Sequence, residues 1–289
     1  DFGEMTRLAR IAKPDICVIT NIGTCHLENL GDRDGVLKAK TEIFSSLKEK
    51  GHIILNGDDD KLCTVEEYKG IRPVFFGLDK NRDVYADEIE SKGLKGVACR
   101  IHMGEESFRV LVPMPGIHMV YNALAAAAVG RIYGLTKEEI KKGIESLEAI
   151  SGRFKMIETD SLLIVDDCYN ANPMSMKASL NVLHDGAGRR VAILGDMGEL
   201  GADEIRLHEE VGAHAASCGI DCCICVGELS AYMAQAAKKT APDFEVIHMN
   251  TREELLTHLS EFVQKGDTVL VKASHFMKFE EVVKALEEL

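Results

Sequence analysis

Five short, β-branched-rich runs punctuate the second half of this chain: LLIVDD, RRVAILGD, CCICVG, FEVIHM and DTVLVKAS. A helical stretch follows each, starting at Pro173 and at about Asp203, Glu228, about Thr251 and about Lys278. Such strict alternation implies a parallel sheet with crossover helices on both faces. Residues 151–289 are therefore expected to form a doubly wound, Rossmann-like domain whose ligands meet the carboxyl ends of its strands.

The first half follows a different plan. DICVIT, at 15–20, is a compact apolar run after Pro14, and it ends in the polar loop Asn21-Ile22-Gly23. A helix is expected from about Asp34 to Glu49, with Val36, Leu37, Ile43, Phe44 and Leu47 on one side. The strand His52 to Leu55 then runs into Asn56-Gly57-Asp58-Asp59, a second β-loop-α unit. Between 73 and 112 the segments PVFFG, VYADEIES, ACRIHM and SFRVLV, with turn chemistry at Lys92-Gly93 and Gly104-Glu105, read as a strand followed by a meander. An Ala-rich helix is expected from about Met119 to Tyr133, ended by Gly134, and a second one opens on Thr136 with Glu139 three residues on, a capping box. The first domain is expected to occupy residues 1–150.

Composition restricts the function classes. With 34 Lys+Arg against 47 Asp+Glu the net charge is −13, so most of the surface repels nucleic acid and anionic membranes, and an anionic ligand must be held by local groups. No apolar run approaches the ~20 residues of a membrane span. The nine cysteines are scattered at apolar positions such as Cys17, Cys99 and Cys225, which fits a reducing cytoplasm better than a disulfide framework. Cys218, Cys222, Cys223 and Cys225 lie close enough to suggest zinc, but a buried strand before Gly227-Glu228 explains the last three more simply. Neither G-x-x-x-x-G-K-[ST] nor a G-x-G-x-x-G between strand and helix occurs, so this sequence has no recognisable phosphate cradle of its own.

Taken in order, LARIAKPDICVITNIGTCHLENLG, AKTEIF, LNGDDD, PGIHMVYNALAAAA, SGRFK, DDCYNANPMSMKASL, ILGDMGELG and VKAS resemble the successive signatures of the Mur ligases, over essentially the whole chain. DDCYNANP with GDMGELG is similar to the branch that adds D-alanyl-D-alanine. The resemblance implies a truncated central ATPase-type α/β domain followed by the C-terminal Rossmann-like domain. It also implies an ATP-dependent amide ligase of cell-wall precursor synthesis, cytoplasmic and monomeric, joining D-alanyl-D-alanine to UDP-N-acetylmuramoyl-tripeptide with ATP and Mg2+. In such an enzyme a substrate carboxylate is phosphorylated and the incoming amine attacks the acyl phosphate. Alternatives are a nucleotide- or dipeptide-binding module without catalysis, and another Mur or folylpolyglutamate-type ligase.

The same resemblance nominates site residues. His26 would ligate magnesium, and Lys40 would become a carbamate, exchanging a cation for oxygen donors. His118 and Asn122 would meet the nucleotide base, although Met119 stands where the family usually has Asn. Arg153, in SGRFK, would approach the phosphates and Asp167 a ribose hydroxyl. Tyr169, Asn170, Asn172, Asp196 and Lys272 would line the substrate, with Asn172 before Pro173 equally readable as a helix cap. In VKASH, Ala273 and His275 replace a usual Gly and Arg. The family places its uridine-binding domain, phosphate loop and a metal-binding glutamate upstream of the position of Asp1, so this chain is expected to be unable to complete the reaction alone.

Overall fold

A computed structural model describes residues 1–24 and 27–289, which form two compact units, Asp1–Glu148 and Ala149–Leu289.

In the first unit the elements run α1 (Glu4–Ala12), β1 (Ile16–Ile19), α2 (Leu27–Leu30), α3 (Arg33–Thr41), β2 (His52–Asn56), β3 (Val74–Gly77), β4 (Val84–Ser91), β5 (Val97–Met103), β6 (Glu106–Val112), α4 (Ile117–Ile132) and α5 (Lys137–Glu145). One six-stranded sheet carries them in the order β1-β2-β3-β4-β5-β6. Neighbours from β1 to β4 are parallel, and β4-β5 and β5-β6 are antiparallel. The expected meander is therefore continuous with the parallel strands, joined through Phe76 opposite Val84 and Gly77 opposite Tyr85.

On one side α4 buries Val120, Leu124, Ala127 and Ala128 in a core with Phe76, Ile101 and Val110; its alanines let the helix lie close to the strands. Cys17, Ile53, Leu55, Phe44 and Leu62 form a separate core. The helix expected to reach Glu49 instead ends at Thr41 and tightens into a 3-10 turn over Glu42–Ser46. Thr41 Oγ1 bonds back to Leu37 O at 2.8 Å, and the Glu42 carboxylate turns to α1, accepting from Gly3 N at 2.8 Å and Thr6 N at 3.2 Å. Those backbone donors hold the Glu42 carboxyl below its usual range. The capping box at Thr136 and Glu139 is present as expected.

The second unit runs β7 (Lys155–Glu158), β8 (Leu163–Asp166), α6 (Pro173–Leu183), β9 (Arg190–Gly195), α7 (Glu204–Ser217), β10 (Cys222–Val226), α8 (Ser230–Thr240), β11 (Glu245–Met249), α9 (Arg252–Phe262), β12 (Thr268–Lys272) and α10 (Glu280–Glu287). Its sheet has the order β11-β10-β9-β12-β8-β7, parallel except where β7 runs antiparallel to β8. Every residue of β10 and β12 is buried, as a strand covered on both faces requires. Leu255 and Leu259 of α9 and Val282 and Leu286 of α10 pack with Ile164, Val191, Ile224 and Val269, whereas α6 and α8 lie against β9, β10 and β12 outside that cluster. Because β12 inserts between β8 and β9, the ends of these three strands form the place where the winding reverses, the usual ligand position in such a sheet. Three of the cysteines suggested as zinc ligands, Cys222, Cys223 and Cys225, are buried on β10, and burial pushes the Cys222 thiol up to about 12.

Candidate functional site

In the first unit the chemistry-bearing loops leave the carboxyl ends of β1, β2 and β3. The loop after β1 is held from several directions. Asn56 Nδ2 donates to Thr20 O at 3.0 Å, Ile22 N donates to Asp59 Oδ2 at 2.7 Å, and Arg33 Nε donates to Ile22 O at 2.9 Å. The half-buried Lys40 sends its Nζ to Asn21 O, 2.9 Å away. Lys40 on α3 is thereby brought to the loop that leads toward His26, which itself lies outside the described residues.

A second group joins the β2 loop to the start of α4. Asp58 accepts from Arg82 Nε at 3.1 Å, from Tyr121 Oη at 3.2 Å and from Leu78 N. Burial and the neighbouring Asp58 charge push the Tyr121 hydroxyl up to about 12, so it stays a neutral donor. A Cβ at Gly57 would sit 2.6 Å from Arg82 Nε, so a larger residue there would displace the arginine side chain from Asp58. Tyr121 thus brings the first turns of α4, with His118 half-buried and Asn122 exposed, to the end of β2. Asn122 Nδ2 meets Met119 Sδ at 3.5 Å, so the residue that replaces the family's usual Asn touches the proposed base contact directly. Asp58, Arg82 and Tyr121 were not nominated from the sequence; the LNGDDD loop pointed near them, but their pairing is long-range.

The second unit gathers its nominated residues at the ends of β8, β9 and β12. Lys272, only 2 % exposed, reaches Asp167 Oδ2 at 2.6 Å and Asn170 O at 3.1 Å, while Ser179 Oγ donates to the same Asp167 oxygen at 2.6 Å. A buried ammonium with a carboxylate and a carbonyl around it is internally compensated. Asp196, also buried, receives Ser230 N at 2.7 Å and Ser230 Oγ at 2.6 Å, so its carboxylate serves the start of α8. Asn172 caps α6, accepting from Ser175 N at 2.9 Å. Asn170 Oδ1 accepts from Ala171 N at 2.8 Å.

The GDMGELG loop is fixed from three sides. Ser274 Oγ accepts from Gly198 N at 2.9 Å and Ser274 N donates to Asp196 O at 3.1 Å. The fully buried His208 accepts from Met197 N through Nε2 at 2.9 Å, with Nδ1 2.7 Å from Glu204 O. That pair of contacts defines a neutral imidazole with its proton on Nδ1, and burial lowers its pKa. Ala273 is a packing residue. It is completely buried, and a Cβ on Gly195 would lie 2.7 Å from its own.

Arg153 and Tyr169 are exposed. The guanidinium lies over the Tyr169 ring, 4.1 Å from its centroid, and the Tyr169 ring centroid is 5.6 Å from that of His275. Arg153 is therefore available to an anionic group in a way Lys272 is not.

Residues 1–130 match the family described as Mur ligase middle domain, and residues 152–275 match Mur ligase, glutamate ligase domain. The chain belongs to the Mur ligase family. Among named relatives it is 38% identical, over 99% of its length, to UDP-N-acetylmuramoyl-tripeptide--D-alanyl-D-alanine ligase of Bacillus subtilis (strain 168), and it spans 62% of that protein. Among solved structures it is similar to MurF from Acinetobacter baumannii, with a TM-score of 0.90 and 33% identity, covering 100% of this chain and 63% of that one. It is also similar to MurF ligase from Thermotoga maritima in complex with ADP, with a TM-score of 0.85 and 27% identity, covering 100% of this chain and 65% of that one.

Proposed function

We propose that this chain supplies the middle and glutamate-ligase domains of an ATP-dependent amide ligase that adds D-alanyl-D-alanine to UDP-N-acetylmuramoyl-tripeptide in peptidoglycan precursor synthesis. The observation that carries this reading is the 38% identity to the Bacillus subtilis ligase of that name across 99% of the chain. The ADP complex of the Thermotoga maritima relative supports a nucleotide as co-substrate.

In this reaction ATP phosphorylates the terminal carboxylate of the tripeptide, and the dipeptide amine displaces phosphate from the acyl phosphate to leave an amide. The chemistry asks mainly for stabilisation of developing negative charge and for positioning. Arg153 supplies an exposed planar cation for phosphate oxygens. His118 and Asn122, with Tyr121 anchored to Asp58, form the base-facing start of α4. By the family resemblance Asn170, with Tyr169 next to it in sequence, would face the dipeptide. Asp167, Asn172, Asp196 and Lys272 contribute by shaping that position through their internal bonds.

A magnesium ion fits this reading through His26 and Lys40 only with the lysine carbamylated. As an ammonium donating to Asn21 O, Lys40 repels a cation, and among the described residues no group of three His, Cys, Asp or Glu converges on one point. The carbamate would place oxygen donors suited to a hard cation there, and the ion would neutralise phosphate charge. Location in the cytoplasm and a monomeric state belong to the same proposal.

The test is a chimera in which the N-terminal part of the Bacillus subtilis relative precedes this chain. Phosphate release is measured with the UDP-linked tripeptide and ATP against D-alanyl-D-alanine, a diamino acid or glutamate as acceptor. Release that depends on D-alanyl-D-alanine is expected. Turnover of another acceptor, or nucleotide binding without release, removes the proposal in favour of another ligase or a binding module.

A further inference from the structure

The backbone that presents Arg153 is fixed on one side by Asp166, which the sequence did not nominate, and on the other by the main chain of Tyr169. Asp166 is buried at the end of β8, and its Oδ2 accepts from Gly152 N at 2.7 Å and from Ser151 Oγ at 3.0 Å. On the other side of the same glycine, Tyr169 N donates to Gly152 O at 3.0 Å. Gly152 has a φ of +75°, and a Cβ there would approach Tyr169 Cβ to 3.1 Å, so the segment accepts glycine on both counts. Phe154 follows with its side chain buried, even though its φ of +56° is costly for a bulky residue. Arg153 thus projects between two anchored neighbours.

Its side chain is held as well. The Tyr169 ring lies 4.1 Å beneath the guanidinium and is tilted by 34° to the His275 ring on which it packs. A ring face attracts a guanidinium electrostatically and leaves the outward N–H donors free. An ordinary surface arginine has neither a buried carboxylate securing the preceding peptide nor an aromatic support. Fixing a flexible cation before a ligand arrives reduces the ordering cost of binding.

We propose that Asp166 and Tyr169 are positioning residues for Arg153, Asp166 setting its backbone and Tyr169 its guanidinium, so that the cation is preorganised for the oxygens of a polyphosphate. The anionic ligand rests on the functional reading above; the positioning does not. Tyr169 then acts through Arg153 rather than as a substrate contact in its own right, and Asp166 and Asp167, adjacent in sequence, divide their work. Asp166 holds the arginine segment, and Asp167 holds Lys272.

The measurement is the Arg153 Nε–H resonance of the isotope-labelled 289-residue chain, followed during titration with inorganic tripolyphosphate and with ATP. In the native chain the signal is expected away from those of solvent-averaged arginines, shifted by the tyrosine ring and responsive to both ligands. Tyr169→Phe and Asp166→Asn, which keep the ring and an acceptor oxygen, should preserve it. Tyr169→Leu and Asp166→Ala should move it to the solvent-averaged position and weaken tripolyphosphate about two- to fivefold, the scale of a lost exposed cation–π support. If Asp166→Ala does not fold, Tyr169→Leu and the two conservative variants decide. A native Arg153 signal already solvent-averaged, or one unmoved by Tyr169→Leu, overturns the proposal. A signal that responds to the substitutions but ignores both ligands leaves the positioning intact and removes the phosphate reading.

Discussion

Two cations stand at the same edge of the second unit's sheet in opposite conditions. Lys272 is buried and fully engaged with Asp167 and the Asn170 carbonyl, whereas Arg153 lies exposed on a tyrosine ring. Both were nominated for ligand contact from the sequence. The difference teaches that position at the carboxyl edge of a parallel sheet does not by itself make a group available to a ligand. A cation taken out of water must already be compensated, and a compensated cation has few donors left to offer. Stability and recognition are therefore separable here by substitution.

The largest expected effect follows from removing one half of the buried pair. Lys272→Met takes the cation from the Asp167 carboxylate, which keeps the Ser179 hydroxyl, and takes the lysine donor from the Asn170 carbonyl; the expected loss is about 3–5 kcal/mol in urea unfolding. Replacing Asp167 by Asn in the Lys272→Met background should recover part of that loss, since no uncompensated charge remains. A loss below about 1 kcal/mol for Lys272→Met would mean that water reaches the pair and would break the contrast with Arg153.

Asp196→Ala comes next. It removes the acceptor for Ser230 N and Ser230 Oγ at the start of α8, for an expected loss of about 1–2 kcal/mol, while Asp196→Asn should cost less. Equal losses for the two variants would show that charge at the helix start, rather than the hydrogen bonds, is what matters.

His208 gives a pH-dependent version of the same contrast. Its folded-state pKa is lowered, first by burial, and the charges of Asp196 and Glu204 oppose that shift without reversing it. The unfolded chain therefore binds this proton more readily than the folded one. The stabilisation from neutral His208 is complete above the ordinary imidazole value near 6.5 and declines as pH falls toward the depressed folded-state value. Thermal unfolding between pH 7 and pH 5 checks this. A His208→Gln chain should begin less stable and show a shallower decline, and an unchanged slope would assign the acid sensitivity to other groups.

Much of this architecture was legible because it is periodic. The five βα repeats of the second unit, the Thr136 capping box and the Asn172-Pro173 helix start are local signals, and each is where the sequence places it. What escaped is non-local or lies at an edge. β7 reads KMIE, a short segment with largely exposed residues and no apolar run, and pairing with β8 is what makes it a strand. Helix periodicity carried the α3 pattern past Thr41, but competition from Thr41 Oγ1 and the recruitment of Glu42 by α1 end it there. Within the site, Asp58 and Tyr121 meet only through the fold. Asp166 and Asp167 are indistinguishable by composition. Strand alternation sends them to different partners, and that difference decides which carboxylate serves Arg153.

The smallest stability effect is expected at the exposed stack. Tyr169→Leu removes an aromatic face from Arg153 and a neighbour from His275, but the residue is 49% exposed and the cation stays hydrated, so the cost should be no more than about 0.5–1 kcal/mol. Set beside Lys272→Met, this inverts the usual link between damage to the fold and damage to a site: the variant that scarcely shifts unfolding should be the one that disorders the exposed cation proposed for phosphate. If Tyr169→Leu instead destabilises the chain as much as Lys272→Met, the ring is a structural pillar. Arg153 would then be a passenger on it, and the division between a compensated buried cation and a ligand-ready exposed one would not hold.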